Sequence, residues 1–468
     1  RTLSAWLTLL IALTAALPYL GTLRADFVWD DDLLVVDNAT YRDPGLFWSS
    51  FTRNLIFSPN YYRPLGLLTF FADFQFYGFR PWGYHLTNVL LHAAASALAY
   101  LLFRHLLRGR SVLWPAALAL LFAWHPVHVE AVSFVAGRFD LLCTAFYLLA
   151  LLLALSAVEG LGVAAWEART RALSWGLAVG TGLAFLLAMV SKEMAATFPL
   201  ALAACYTWSV AHRRQAIPER GSAPYASRLT FYASRLAHHA SHTFPLILAI
   251  ALSSLAYLAL RTWSLGYLYL SPPDAGLPAG NLLQHALLVG RSAARYLRLL
   301  IVPWGAISPI HYADLPLSTL DSISWLALTI TLGLLALLLL SLYHTLRPTP
   351  RGGPDPASSP QFPFSLLDSP SSALWLAFAL TLLPVINLLP LEIGGGAFVC
   401  ERFIYLPSFF FLAAVGAGVQ ARQTLKVSAG RAPARSFRVS AVAATAALAL
   451  AGLVGVLTTV PHWRDDVA

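Results

Sequence analysis

The chain has 468 residues, of which 58% are hydrophobic and only 11% charged. A soluble domain carries about 25% charge, so this composition excludes an ordinary globular enzyme and points to a multi-span membrane protein. The formal net charge of +9 sits largely in arginines clustered in short loops between apolar segments, the pattern of cytoplasmic loops, and gives no argument for nucleic acid.

The first apolar segment, 3–23, is long enough for one crossing, since about 20 apolar residues span the hydrocarbon of a bilayer. It exceeds the core of a secretory signal and reads as a retained anchor. A polar loop, 24–81, follows; it opens on Phe27-Val28-Trp29-Asp30-Asp31-Asp32 and carries a second cluster at Tyr61-Tyr62-Arg63-Pro64-Leu65. Its length predicts short surface helices. A second span, 84–102, ends on Arg104, His105, Arg108 and Arg110, so 104–111 is expected in the cytoplasm and the acidic loop outside.

A shortened third span, 113–124, runs into His125-Pro126-Val127-His128-Val129-Glu130, and 141–156 returns. The next pair, 175–190 and 195–208, meets at Ser191-Lys192-Glu193, and the basic loop 211–242 is expected inside. Five apolar stretches then precede the basic loop 422–438: 244–260, 282–302, 323–342, 374–389 and 403–419. Two cytoplasmic flanks require an even number of crossings. The segment 282–302 is the one expected not to cross, because Arg291, Arg295 and Arg298 share roughly one helical face and each Arg at the bilayer centre costs about 2.5–3.5 kcal/mol. It is placed as an amphipathic helix at the outer surface, within a second external region 261–320, with its arginines toward lipid phosphates. The loop 345–371 is then cytoplasmic, and a last span, 439–460, puts the C-terminus outside. About eleven crossings result: an all-α polytopic transmembrane domain over 1–460, followed at 461–468 by the start of an outer C-terminal region. Scarce Lys beside plentiful Arg, Ala and Leu suggests a prokaryotic plasma membrane. Cys143, Cys205 and Cys400 give no readable disulfide framework or metal site.

On this topology Asp30, Asp31, Arg63, His85, His125, His128, Glu130, Arg138, Asp140, Lys192, Glu193, Glu401 and Arg402 all fall at the outer ends of spans. Ionisable groups at such depths are functional hypotheses by default, and convergence from separate segments strengthens them. Plainer readings stand beside them. His125 and His128 could cap a broken helix, Arg138 and Asp140 could be a buried ion pair, and Lys192 and Glu193 could neutralise each other. Asn88 and His92, inside a span, suit interhelical hydrogen bonding better than chemistry. A carboxylate beside cations at headgroup level suits a reaction on a lipid-linked phosphate sugar: the base takes a proton from an acceptor hydroxyl, and Arg and Lys stabilise the phosphate that leaves. No phosphate-binding glycine loop and no HExxH are present, while His125-x-x-His128-x-Glu130 could still hold a divalent metal with Asp30 or Asp31.

Seven ordered blocks carry a resemblance. They are Phe27-Val28-Trp29-Asp30-Asp31, Tyr62-Arg63-Pro64-Leu65 with Leu68-Thr69-Phe70, and Gly83-Tyr84-His85-Leu86 with Asn88 and Leu91-His92. Ala123 through Glu130, Gly137-Arg138 with Asp140-Leu141, Ser191-Lys192-Glu193, and Glu401-Arg402 with Tyr405-Leu406-Pro407-Ser408 follow in order. Together they resemble the membrane half of the transmembrane and tetratricopeptide-repeat O-mannosyltransferases. The resemblance implies a GT-C glycosyltransferase fold with the active site on the outer face, a polyprenyl-phosphate sugar as donor (mannose in the eukaryotic members), and an exported protein as acceptor. In GT-C enzymes an acid of the first external loop is catalytic, which maps to Asp30 or Asp31; Asp31 is the expected base, assisted by Asp30, with Asp32 leaving the register of the pair open. Arg63, Arg138, Lys192 and Arg402 are expected to hold the donor phosphate. His85, His125, His128, Glu130, Glu193, Glu401 and Tyr405 are expected to shape sugar or acceptor contacts. The family continues into tetratricopeptide repeats, which would begin near His462-Trp463-Arg464. Transfer to a lipid or cell-wall glycan, a transporter of a lipid-linked solute, and an intramembrane metal enzyme built on His125, His128 and Glu130 are the alternatives.

Overall fold

The computed structural model describes residues 2–43, 45, 48, 61–107, 111–159, 168–216, 225–266, 281–303, 310–312, 321–346, 371–388, 398–428 and 435–464. The loop 347–370 and the end 465–468 lie outside these residues, as do most of 44–60, 267–280 and 304–320 and parts of the other expected cytoplasmic loops.

Helix α1 (Thr2–Ala16) stops where Pro18 removes a backbone donor, and a 3-10 helix, Leu17–Arg24, completes the first apolar rod. After the acidic loop come α2 (Pro64–Tyr77) and α3 (Pro81–Leu106), each with proline in its first turn, where a missing amide hydrogen costs nothing. The helix α4 (Leu113–Ala123) breaks at His125-Pro126 and bends by 51° into Pro126–Ser133, whose α-helical part is α5 (Val129–Ser133). Next are α6 (Arg138–Glu159), α7 (Ala168–Met189), α8 (Phe198–Ala216) and α9 (Tyr225–Leu265). The chain then forms α10 (Leu282–Ile301), α11 (Ser322–Leu346), α12 (Ser372–Leu382), α13 (Tyr405–Ser428) and α14 (Arg435–Thr459). The described residues hold two short strands, β1 (Ile310–Tyr312) and β2 (Phe398–Cys400), antiparallel with Ile310 opposite Cys400 and Tyr312 opposite Phe398.

The protein is an all-α integral membrane protein. Seven helices among the described residues are long and apolar enough to cross a bilayer, or eight when the bent pair counts as one span. Leu173–Met189 and Ser372–Val385 are apolar but under full length, and α8 carries His212, Arg213 and Arg214 in its last turns. The helix α10 is amphipathic, burying Leu287, Leu288, Tyr296 and Leu299 while Arg298 is exposed, in keeping with a segment that does not cross.

The core lies where α3, α6 and α13 meet the bent segment after α4. Every residue from His125 to Ala145 is buried. A non-helical turn so deep must have its backbone groups satisfied by protein, and here side chains do it. The Asn88 amide donates to the carbonyls of Phe134 (2.8 Å), Val135 (3.3 Å) and Val132 (3.4 Å). Gly137 is required by close approach, since a Cβ there would stand 2.4 Å from the Ala131 carbonyl oxygen.

Candidate active site

The residues that the sequence singled out separate into two groups, a buried scaffold and a half-buried cluster of charge.

The scaffold contains Asp31. Its carboxylate is fully buried and accepts from the backbone amides of Ala136 (2.8 Å), Val135 (3.3 Å) and Val28 (3.3 Å). Burial is the largest influence and pushes its pKa up to about 8, against the three amides. Arg138, expected at a phosphate, is engaged by protein groups in the core. It pairs with Asp73 (2.5 Å), donates to the Asn88 side chain (2.9 Å) and the Tyr84 carbonyl (2.8 Å), and lies over the Phe70 ring. The expected Arg138–Asp140 pair is therefore not made. His85 reaches the Asp26 carbonyl (3.4 Å), His125 the Leu300 carbonyl (3.1 Å), and His128 the Ser408 hydroxyl (2.9 Å). Tyr405 meets His92 at 2.7 Å, so His92 and Asn88 serve interhelical bonding as the sequence suggested. The contacts of His125 and His128 explain why the spacing His-x-x-His-x-Glu does not gather into a ligand set. Among the described residues no group of three His, Cys, Asp or Glu is arranged to hold a metal.

The charged cluster lies beside this scaffold. Lys192 pairs with Asp140 at 2.6 Å rather than with its neighbour Glu193; burial lowers the Lys192 pKa, and Asp140 opposes the shift. Glu193 accepts two hydrogen bonds from Arg63, 2.8 and 3.0 Å. It also meets Arg261 of α9 at 4.0 Å. Arg402 pairs with Glu130 through its guanidinium, and its backbone amide donates to the same carboxylate at 2.8 Å. Phe403 joins two of these cations, with Lys192 Nζ 4.2 Å and Arg402 Cζ 5.2 Å from the ring centre. Arg63, Glu193 and Arg402 keep 13%, 14% and 13% of their side-chain surface exposed, so this edge of the cluster is partly accessible. Glu401 interacts electrostatically with Glu130 and with Arg295 of α10.

At the same edge stands Asp30. It is half-buried, has no hydrogen bond or ion pair among the described residues, and lies in the electrostatic field of Arg402. The residue before it, Trp29, has φ of 53°, left-handed backbone that costs a non-glycine residue about 1–3 kcal/mol. This turn sends Asp31 inward and leaves Asp30 at the edge. The arrangement is a half-buried carboxylate in the field of Arg402, which belongs to the same charged cluster as Lys192, Arg63 and Arg261. Sequence reading missed Arg261 because it sits at the end of an apolar span with no neighbouring motif. The apolar stretch 244–260 makes Arg261 the first residue of the external region 261–320, whereas α9 continues to Leu265 and buries it.

No family model matches the chain. Protein O-mannosyl-transferase TMTC2 of Mus musculus is 38% identical over 202 residues, which are 42% of this chain and 23% of that protein. Protein O-mannosyl-transferase Tmtc2 of Drosophila melanogaster is 40% identical over 139 residues, 28% of this chain and 15% of that protein. Protein O-mannosyl-transferase TMTC4 of Homo sapiens is 37% identical over 167 residues, 31% of this chain and 22% of that protein. The matched stretches thus span about a quarter or less of these relatives. A crystal structure of ArnT from Cupriavidus metallidurans bound to undecaprenyl phosphate aligns over 90% of this chain and 78% of its own, with 13% identity and a TM-score of 0.34, too loose a superposition to carry an argument. The resemblance read from the ordered blocks therefore rests on the sequence: over as much as 44% of its length the chain is similar to the animal protein O-mannosyl-transferases.

Proposed function

We propose that this protein is a GT-C-type membrane glycosyltransferase that moves a sugar, mannose, from a polyprenyl-phosphate donor to a hydroxyl of an exported protein, on the outer face of a prokaryotic plasma membrane. The observation that carries the reading is a half-buried Asp30, without hydrogen bond or ion pair among the described residues, in the field of Arg402 and its cluster of Lys192, Arg63 and Arg261. Similarity to protein O-mannosyl-transferases supports the sugar and the acceptor class. The basic loops that orient the spans support the outer face.

The surroundings favour Asp30 over Asp31 as base. A general base needs a lone pair within reach of the acceptor proton, and the Asp31 oxygens are occupied by three amides in a closed core. Asp30 takes the acceptor hydroxyl's proton as that oxygen forms its bond to the sugar's anomeric carbon. The bond from this carbon to the phosphate oxygen breaks, and its electron pair leaves with the phosphate. The cations stabilise the charge that develops there. One displacement inverts the anomeric carbon.

The test is sugar transfer from radiolabelled polyprenyl-phosphate mannose by the purified full chain in lipid, with Asp30→Asn and Asp31→Asn beside the wild type. Turnover lost by about a hundredfold or more in Asp30→Asn, with donor binding kept, supports the assignment. Wild-type turnover in Asp30→Asn would overturn it.

A further inference from the structure

We infer that Trp463, at the end of the apolar span Ala441–Trp463, is a positioning residue for the Asp30 carboxylate. The backbone of Trp29 is held in the left-handed region immediately before Asp30, a conformation that persists only where the surroundings over-determine it. Two rings pack against the indole of Trp29. The Trp29 indole meets Trp463 edge-on at 5.4 Å and Phe134 at 6.0 Å, and Phe134 and Trp463 touch each other at 5.8 Å. Phe134 and Trp463 are 1% and 7% exposed against 42% for Trp29, so the inner two form a fixed seat and the outer ring rests on it. The next residue ties down the start of the same loop, because the Asp26 amide donates to the Arg464 carbonyl at 2.9 Å.

The far side of the turn is anchored separately. The Asp31 amide donates to Val28 at 3.0 Å, and the Asp31 carboxylate is fixed in the core by Ala136. Asp30 lies between these two restraints and has no hydrogen bond or ion pair of its own among the described residues. Its direction is therefore set by the backbone at Trp29, and the seat at Trp463 sets that backbone. The kinetic part of this inference rests on the transferase reading; the geometric part does not.

Two measurements on the full chain in lipid test it. The first is carbodiimide labelling of Asp30 relative to Asp31, read by mass spectrometry, in wild type, Trp463→Ala and Trp463→Phe. Trp463→Ala is expected to change the ratio, and Trp463→Phe, which keeps an aromatic edge, to preserve it. The second is sugar transfer: Trp463→Ala lowers kcat about tenfold with donor KM within about twofold, and Trp463→Phe recovers most of the loss. Trp29→Gly removes both the ring and the backbone strain, so adding Trp463→Ala to it should have no further effect on the ratio or on kcat. An unchanged labelling ratio in Trp463→Ala, or a loss undiminished in the Trp29→Gly background, overturns the inference. If wild type transfers no sugar, the transferase reading fails and the labelling alone decides the role of Trp463.

Discussion

The Asp31 carboxylate accepts a 2.8 Å hydrogen bond from the amide of Ala136, more than a hundred residues away in sequence. With Val135 and Val28 also donating, this side chain joins the first loop to the buried turn that leads into α6. Asp31→Ala strands these buried donors and opens a cavity; a loss of about 2–4 kcal/mol is expected. Thermal unfolding in detergent should show a clear fall in midpoint, and Asp30→Asn should show none.

The same residue gives the fold a pH dependence. Burial raises its pKa to about 8, above the value of about 4 in an unfolded chain. Between those values the native state holds a proton that the unfolded state has lost, so stability falls as pH rises through this window, by up to about 1.4 kcal/mol per pH unit for this one group. Below the window both states are protonated, above it both are ionised, and the contribution is flat. Unfolding midpoints between pH 5 and 9 should decline more steeply in wild type than in Asp31→Asn. Equal slopes would remove Asp31 as the source.

Gly137→Ala is predicted to act through the same contact. The added Cβ would press on the Ala131 carbonyl at 2.4 Å, which is backbone and cannot swing aside. The displaced turn carries Val135 and Ala136, so the substitution should cost about 1–3 kcal/mol and lower turnover as well. Gly418→Ala, within α13 and with open space around the new methyl, is the control. It should be neutral or stabilise by about 0.5–1 kcal/mol.

Lys192 and Asp140 form a buried pair in which neither member tolerates the loss of the other. Lys192→Met leaves a carboxylate uncompensated and Asp140→Leu leaves an ammonium; each should cost about 3–5 kcal/mol, with the double variant well short of their sum. Unfolding midpoints of the four proteins measure that coupling. Additive losses would mean that the contact contributes nothing.

Much of this architecture is legible in the sequence because a bilayer enforces simple rules. The apolar runs, the break at His125-Pro126 and the amphipathic register of Arg291, Arg295 and Arg298 are each written in local pattern, and the structure places helices, a bend and a half-buried helix there. The choice of charge partners is not local. Lys192 lies beside Glu193 in the chain but pairs with Asp140, and Arg138 bypasses Asp140 for Asp73, because helix packing decides which side chains meet. Nor could the pattern Asp30-Asp31-Asp32 show which carboxylate is buried. That depends on the left-handed backbone of Trp29, stabilised by a ring at the other end of the chain.

Arg261 provides the sharpest functional contrast with Arg138. Both guanidiniums are buried, at 2% and 0% side-chain exposure. Arg138 is held by a carboxylate, an amide oxygen and a backbone carbonyl in a fully buried position. Arg261 instead lies 4.0 Å from Glu193, whose carboxylate Arg63 already holds by two hydrogen bonds, and its guanidinium brings a positive charge into a site of low dielectric. A phosphate meeting that charge is stabilised more than it would be in water. Arg261→Met should therefore weaken polyprenyl-phosphate binding about tenfold, with thermal stability kept to within about 1 kcal/mol, because Arg63 still neutralises Glu193. Glu193→Gln works in the opposite sense, removing the negative charge that both arginines meet and tightening binding of the same lipid. Titration of polyprenyl phosphate against both variants by fluorescence or calorimetry is the measurement. Equal affinity in wild type and Arg261→Met would show that Arg261 serves only to position Glu193.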